Sequence, residues 1–257
     1  MLSLINPVQD ATNGEYPLLV VETVHTRDVK GIVDVTDGII EVAPSLIDLG
    51  VRLRTAGQPM TGDLWMLVFL WSVPSFATLI QASEVVAAKL APSAKAAIKN
   101  TAFRLLVPMP YNPPPASGAS GDMRHILEEL RESFDKRPMD APEPKFICGL
   151  HDELLVQDSR YDDFAQRAAA FLQHFVDKTK WRLLAAGREL GISPQHVLHF
   201  WKVDDIGLLP NVMHVLADLP GYAEIQSALT AEIQNLFVQA RKNLPPIKPA
   251  HQQGHGQ

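Results

Sequence analysis

The sequence is short of cysteine, of basic residues and of long apolar runs. Its 257 residues include one cysteine, which cannot form an internal disulfide, so the chain is not a disulfide-stapled scaffold. Lys and Arg number 23 against 29 Asp and Glu, which disfavours a protein that grips nucleic acid or membrane through bulk charge. The 46% of hydrophobic residues suffices for one large or two small globular domains.

No targeting or membrane segment is predicted. The N-terminus lacks the basic region and the apolar core of a secretory signal, and with the single cysteine this predicts an intracellular protein, cytoplasmic or nuclear, or within a virion if viral. Residues 64–80 are the one membrane candidate, but Ser72, Pro74 and Ser75 interrupt them well short of the roughly 20 apolar residues of a span. The segment predicts two buried helices that meet near Pro74.

Catalytic and metal-binding motifs are also missing. The chain has no phosphate-binding glycine loop, no GxGxxG, no GxSxG and no HExxH, so neither an enzyme nor a cofactor is predicted. His196 and His199 have the spacing of zinc ligands on a helix, with His214 further on. No second liganding pair accompanies them, and Cys148 with His151 is only half of a motif. No metal site is therefore predicted.

Strand signals are confined to the first sixty residues. Residues 17–24 (PLLVVETV) form a β-branched run, and Asp37-Gly38 stands between two apolar segments in residues 33–42 (VDVTDGIIEV). An Asp-Gly pair in that setting predicts a two-residue hairpin turn.

Helical periodicity dominates after Pro44. The predicted fold class is therefore mainly α, with two helical lobes and a short N-terminal β-hairpin element. The helices are predicted within residues 46–53, 64–80, 92–106, 123–134, 159–176 and 222–240.

Proline marks the boundaries between the predicted domains. The 20 prolines cluster in residues 107–121, in residues 137–144 and in the tail, where neither a helix nor a sheet ladder can continue through them. The prediction is an N-terminal lobe (1–107), a Pro-rich linker with a short helix (108–146), a C-terminal helical lobe (147–243) and a disordered tail (244–257). We find no internal repeat with a period of 20 to 50 residues.

Two basic islands stand out from the acidic background. Residues 85–121 contain no acidic residue, and none interrupts residues 178–188. A cleft between the lobes could present these cations to a phosphate backbone, with Trp181 stacked on a base. The predicted nucleic-acid-binding residues are Lys89, Lys95, Lys99, Arg104, Lys178, Lys180, Trp181, Arg182 and Arg188.

Residues 181–202 resemble the helix-turn-helix of bacterial regulators. Gly187, Gly191 and Val197 stand at the offsets that this motif needs for close packing, for the turn and for the second helix. The second helix would present Gln195 and His199 but no Arg or Asn, which is a poor set for reading bases. Two packed helices joined by a glycine turn are the other interpretation.

Together these features predict a non-enzymatic, self-assembling protein of nucleocapsid or coat type. It would hold single-stranded RNA, or DNA, in the basic cleft and contact copies of itself through terminal arms and apolar surface. One alternative is a helix-turn-helix DNA-binding regulator. Another is an enzyme with an unrecognised site in a helical pocket, built from His196, His199 and nearby carboxylates.

Overall fold

Eight antiparallel strands close into a barrel that carries helices on its outside. The computed structural model describes residues 17–59, 65–116, 122–134, 147–190, 196–203 and 209–239. The strands are β1 (Leu18–Thr26), β2 (Arg52–Pro59), β3 (Met66–Val73), β4 (Ile98–Pro108), β5 (Ile147–Val156), β6 (Arg182–Glu189), β7 (His196–Val203) and β8 (Leu229–Gln239). The helices are α1 (Val29–Asp48), α2 (Phe76–Lys89), α3 (Pro92–Ala97), α4 (Met123–Glu132), α5 (Tyr161–Thr179), α6 (Leu209–Ala217) and α7 (Tyr222–Ala228).

The barrel consists of two four-stranded halves with the same connectivity. Half 1 has the strand order β4-β1-β3-β2 and half 2 the order β8-β5-β7-β6, so each is a ferredoxin-like βαββαβ unit. The β2–β8 and β4–β6 pairings join the halves head to tail. Whether the predicted lobes at 1–107 and 147–243 are separate domains stays a prediction.

The two halves also repeat in sequence, with an offset of 130 residues. Arg-Leu-x-x-Ala-Gly occupies residues 52–57 and again residues 182–187. In both copies the ladder to the next strand shifts register at the same place, between Leu53 and Thr55 and between Leu183 and Ala185. This period lies far above the window of 20 to 50 residues in which no repeat was found.

The prediction of a mainly α fold is wrong, and the hairpin is the first error. Asp37-Gly38 lies inside α1, whose buried residues recur at helical spacing, for example Val35, Ile39 and Val42. Asp28 caps this helix by accepting a hydrogen bond of 2.8 Å from the Gly31 amide. Gly38 serves helix packing and makes no turn, since a Cβ there would lie 2.8 Å from Leu90 Cδ1.

Several predicted helices are helices joined to strands. In 64–80 the strand β3 precedes α2, whose N-cap is Ser75. The predicted helix 92–106 is α3 followed by β4, and 222–240 is α7 followed by β8. In each case a helix of six to fourteen residues directly adjoins a strand, and apolar residues on both sides of the boundary extend the apparent helical spacing.

The helix-turn-helix prediction for 181–202 is also wrong, because these residues form β6 and β7. Alternate β7 residues are buried on opposite faces of the sheet, as a strand requires. Gly191 lies outside the described residues.

Other expectations agree with the structure. The strand at 17–24 is confirmed as β1, and the helices at 123–134 and 159–176 as α4 and α5. Within 107–121 the first residues end β4 and Met109 is buried. Residues 117–121, 137–144 and 244–257 lie outside the described part of the chain. No helix in the described ranges is long and apolar enough to cross a membrane.

The inside of the barrel holds an ion cluster as well as apolar side chains. Arg104 of β4 bonds Glu153 of β5 and Glu189 of β6, the latter at 2.8 Å. His196 places its two ring nitrogens 3.0 Å from Glu153 and 2.9 Å from Glu189. His151 lies 3.4 Å from Glu153. We call these five residues the ion cluster; Arg104 is their link between half 1 and half 2.

We expect Gly38→Val to destabilise the protein by about 2 kcal/mol, because the added atoms would overlap Leu90 and Ala94 across the contact between α1 and the α2–α3 pair. Denaturant unfolding measures the change. The matched control is Ser83→Val on the exposed side of α2, where a surface substitution shifts stability by at most about 0.5 kcal/mol. Equal effects of the two substitutions would contradict the packing role of Gly38.

We expect Arg104→Met to cost about 2–4 kcal/mol of unfolding free energy, since it leaves two largely buried carboxylates beside each other without their shared cation. Arg167→Met is the control, because Arg167 pairs with Asp163 on the surface of α5 and such pairs contribute at most about 1 kcal/mol. A loss at Arg104 no larger than at Arg167 would show that the ion cluster is not structural.

Candidate functional site

Half 2 contains a pocket between its sheet and its helices. The pocket has a cavity volume of about 100 Å³ within a wider space of about 780 Å³ that includes open solvent. Most of its lining is apolar or aromatic. The lining residues are Asp152, Leu154, Phe164, Ala168, Phe171, Leu172, Phe175, Trp181, His199, Trp201, Val212, Leu216, Tyr222, Ile225, Gln226 and Leu229.

Two polar side chains stand side by side on the sheet that forms one wall. Asp152 of β5 and His199 of β7 are direct cross-strand partners on the face toward the helices, and such partners have Cβ atoms about 5 Å apart. The indole Nε1 of Trp201 donates a hydrogen bond of 2.8 Å to Asp152 Oδ2. This bond fixes the carboxylate at the edge of an otherwise apolar pocket.

His199 is neutral in the folded protein. Burial lowers its pKa to about 3, and repulsion from His151 on the other face of the sheet, when both rings are protonated, acts in the same direction. Nε2 of His199 lies 2.8 Å from the Tyr111 hydroxyl oxygen, and burial raises the pKa of Tyr111 well above its usual value. Both groups therefore keep their neutral forms at physiological pH.

Aromatic rings form the wall around these two groups. Phe175 of α5 packs edge-on against Trp181 and Trp201, with centroid distances of 5.4 and 5.1 Å. Phe171 lies 6.2 Å from Tyr222 of α7. An aromatic and apolar lining of this kind suits an apolar or aromatic ligand.

Half 1 shows the same scaffold with the carboxylate kept and the histidine replaced by an apolar residue. At the 130-residue offset, Phe69 corresponds to His199 and is fully buried. Glu22 corresponds to Asp152 and accepts the same indole hydrogen bond, from Trp71 at 2.8 Å. Burial raises the pKa of Glu22. The α2–α3 pair of half 1 closes onto α1 at Gly38.

The structure separates the histidines whose spacing in the sequence is that of zinc ligands. On a strand, residues three apart face opposite sides, so His196 points into the barrel and His199 into the pocket. His214 is exposed on α6. Within the described ranges, no group of three or more His, Cys, Asp or Glu side chains is placed to hold a metal ion.

The predicted nucleic-acid-binding residues have varied surroundings. Arg104 belongs to the ion cluster, Trp181 is buried in the pocket wall, and Arg188 lies 4.9 Å above the Tyr161 ring. Lys89 donates to Ser45 Oγ at 2.7 Å. The other members are exposed, on half 1 for Lys95 and Lys99 and on half 2 for Lys178, Lys180 and Arg182.

Sequence reasoning did not identify Asp152 as a pocket residue or Tyr111 as a partner of His199. The signal that could have found Asp152 is the 130-residue repeat, because Glu22 and Trp71 are separated by 49 residues, as are Asp152 and Trp201. Tyr111 carries no such signal, since it lies in the Pro-rich segment between the halves.

Comparison with known proteins supplies the fold relationship. No family model matches the sequence, and no curated protein is similar to it. Among solved structures, a proposed monooxygenase from Lactobacillus acidophilus is similar with a TM-score of 0.58 at 6% identity, covering 89% of this chain and 98% of that one. A proposed monooxygenase from Fusobacterium nucleatum has a TM-score of 0.54 at 11% identity, with coverage of 91% and 99%.

A double mutant of chlorite dismutase from Candidatus Nitrospira defluvii is also similar, with a TM-score of 0.52 at 6% identity and coverage of 86% and 90%. These findings overturn two predictions. The nucleocapsid or coat-type function is wrong, since the helical lobes that would form its RNA cleft are replaced by a β-barrel. The prediction of a non-enzyme is contradicted as well, because the similar structures are named as enzymes. What the chain shares with them, at identities of 6–11%, is the fold.

Proposed function

We propose that the protein is an enzyme that binds a flat, mainly apolar organic substrate in the half 2 pocket and oxygenates it. The proposal depends on one difference between the corresponding sheets of half 1 and half 2. Half 1 buries Phe69 where half 2 presents His199, and half 2 combines His199 with Asp152 at the wall of an aromatic pocket. A buried polar pair is costly in such a place, which favours a role in binding or chemistry.

Asp152 is the group suited to accept a proton. Asp152 lines the pocket, and its Oδ2 accepts a hydrogen bond from the Trp201 indole while its Oδ1 is buried. The proposed role as a general base requires that the carboxyl group turn toward the substrate. In the proposed step a C–H or O–H bond of the substrate breaks, the proton passes to the Asp152 carboxylate, and the electron pair stays on the substrate as an enolate or phenolate.

His199 is suited to a different task. A general base works best with a pKa near the working pH, and the pKa of about 3 makes His199 too weak a base at neutral pH. A neutral imidazole can instead form a hydrogen bond to the substrate oxygen on which charge develops.

The names of two similar structures suggest the subsequent reaction. Both are described as monooxygenases, so we propose dioxygen as the oxidant of the substrate anion. For a CH₂ group beside a carbonyl, the balanced reaction converts CH₂ and O₂ into C=O and H₂O. The substrate supplies all the electrons, one oxygen atom stays in the product and the other leaves as water.

We expect Asp152→Asn to lower the rate of oxygen uptake by about 10²–10⁴-fold, because the amide cannot accept the substrate proton. The assay follows dioxygen consumption with a panel of flat enolisable ketones and polycyclic phenols, and mass spectrometry after ¹⁸O₂ labelling identifies the product. Glu22→Gln is the matched control, since it changes the corresponding carboxylate of half 1 while keeping an oxygen for the Trp71 indole. It should leave the rate unchanged.

Full oxygen uptake by Asp152→Asn would show that Asp152 is not the base. If no compound of the panel binds, the assignment of the pocket fails. Binding without oxygen uptake by the unaltered protein would instead refute the reaction class alone.

The buried histidines also predict a pH dependence of stability. The unfolded chain takes up protons below pH 6.5, whereas His199 and His151 stay neutral in the folded state down to a pKa of about 3 and about 4. The unfolding free energy should therefore fall between pH 7 and pH 5, by up to about 2 kcal/mol for each histidine.

Reversible denaturant unfolding at the two pH values measures this loss. His199→Phe introduces the residue type that half 1 has at the corresponding position 69. It should reduce the loss of unfolding free energy between pH 7 and pH 5 by about half. His174→Ala on the exposed side of α5 should not change it. A loss in His199→Phe as large as in the unaltered protein would show that His199 is not held neutral.

A further inference from the structure

A segment that follows half 1 contributes a side chain to the pocket region of half 2. Directly after β4, the Met109 amide donates to the Ala186 carbonyl at 2.9 Å, and the Ala186 amide donates to Asn112 Oδ1 at 2.9 Å. The Asn112 amide closes a turn onto the Met109 carbonyl at 2.8 Å. Tyr111 lies within this turn, so backbone hydrogen bonds fix its position against β6.

The Tyr111 hydroxyl and the His199 ring share a single hydrogen bond of 2.8 Å. Because both groups are neutral, His199 carries one N–H proton, on Nδ1 or on Nε2. If Nε2 carried it, Nε2–H would donate to the tyrosine oxygen, and the O–H of the half-buried Tyr111 would need another acceptor. The described residues supply no second polar partner to Tyr111. A donor left without an acceptor at such a place is unfavourable, so we assign the tyrosine O–H as the donor to Nε2.

The histidine proton is therefore on Nδ1. Nδ1 has no hydrogen-bond partner among the described residues, and the His199 ring lines the pocket. The ring nitrogen that is left for a ligand is then a hydrogen-bond donor.

We propose that Tyr111 is a positioning residue that holds His199 as the Nδ1–H tautomer, so that the pocket selects aromatic substrates carrying an acceptor oxygen. This inference deepens the proposed function and rests on it for the identity of the pocket. Asp152 stands directly across from His199. The oxygen of a ketone could thus accept a hydrogen bond from Nδ1–H of His199. The acidic C–H of the same ketone would then lie toward the Asp152 carboxylate. The same N–H would stabilise the enolate oxygen that forms.

Nuclear magnetic resonance of the full chain with ¹⁵N-labelled histidine tests the tautomer without any ligand. Comparison with His199→Phe identifies the His199 signals. We expect the Nδ1–H pattern in the unaltered protein, and its loss or mixing in Tyr111→Phe. Tyr161→Phe is the matched control, because Tyr161 lies nearby but donates to Met109 Sδ, and it should leave the pattern intact. An Nε2–H pattern in the unaltered protein would overturn the inference.

A pair of nearly isosteric probes tests the selectivity. 2-Acetylnaphthalene has an acceptor oxygen and 2-ethylnaphthalene lacks it. By calorimetry the unaltered protein should bind the ketone about tenfold more tightly, as one additional hydrogen bond predicts. Tyr111→Phe should reduce this preference to less than about threefold, with the affinity for 2-ethylnaphthalene unchanged.

The outcomes separate the two proposals. Equal affinities of the unaltered protein for both probes would overturn the selectivity, while leaving an apolar pocket and its oxygenation chemistry standing. If neither probe binds, the proposed function loses its substrate class, and the tautomer measurement still decides the role of Tyr111. A ketone preference without oxygen uptake would support the inference and refute the reaction class.

Discussion

Each four-stranded sheet of this protein has two edges whose backbone groups need partners, and the other sheet supplies them. The β4–β6 seam pairs Leu106–Pro108 with Gly187–Glu189, and the β2–β8 seam pairs two residues of each strand. Closure removes the exposed edges that otherwise favour aggregation. A Cβ at Gly187 would lie 2.8 Å from Leu106 Cβ, so glycine is what lets β4 approach β6 this closely. The ion cluster adds side-chain bonds across the same seam.

The barrel is built from two copies of one unit, and in one copy, half 1, the helices pack closely on one another. Both halves keep the indole-to-carboxylate bond between the first and third strands. In half 1 the neighbouring position is Phe69 and the helices pack directly, whereas in half 2 it is His199 beside a pocket. The apolar core of half 1 includes the buried face of α4. Half 1 can therefore stabilise the barrel while half 2 keeps a cavity, which costs packing energy.

The sequence predicts parts of this fold and misses its class for identifiable reasons. The run at 17–24 and the periodicity of α4 and α5 are unambiguous, because each stands between polar boundaries. The Asp-Gly pair at 37–38 has the local chemistry of a turn, but the tertiary contact of α1 with Leu90 and Ala94 decides its conformation. The strand β8 contains apolar residues at helical spacing directly after α7, so periodicity extends the helix falsely. Tertiary pairing, which local patterns do not encode, determines these segments.

The candidate site was predictable only in fragments. His199 stood in the enzyme alternative, but paired with His196 on a helix face, and a strand sends the two to opposite sides. The sequence predicts Trp181 as a ring that stacks on a base, whereas its ring packs on Phe175 in the pocket wall. The repeated Arg-Leu-x-x-Ala-Gly and the two Trp-x-Val segments, 130 residues apart, would have exposed the duplication. They would also have shown that His199 replaces a phenylalanine.

The β4–β6 seam of the barrel also positions a residue of the candidate site. The β4–β6 ladder ends at Pro108, and the next residues continue along β6 through the hydrogen bonds of Met109 and Asn112 with Ala186. Tyr111 reaches His199 only because this ladder places the end of half 1 against half 2. Weakening the β4–β6 pairing should therefore loosen the hydrogen bond between Tyr111 and His199. This holds although the β4–β6 pairing lies in the barrel wall and outside the pocket. Closure of the barrel thus determines both the stability of the fold and the hydrogen-bonding character of the pocket.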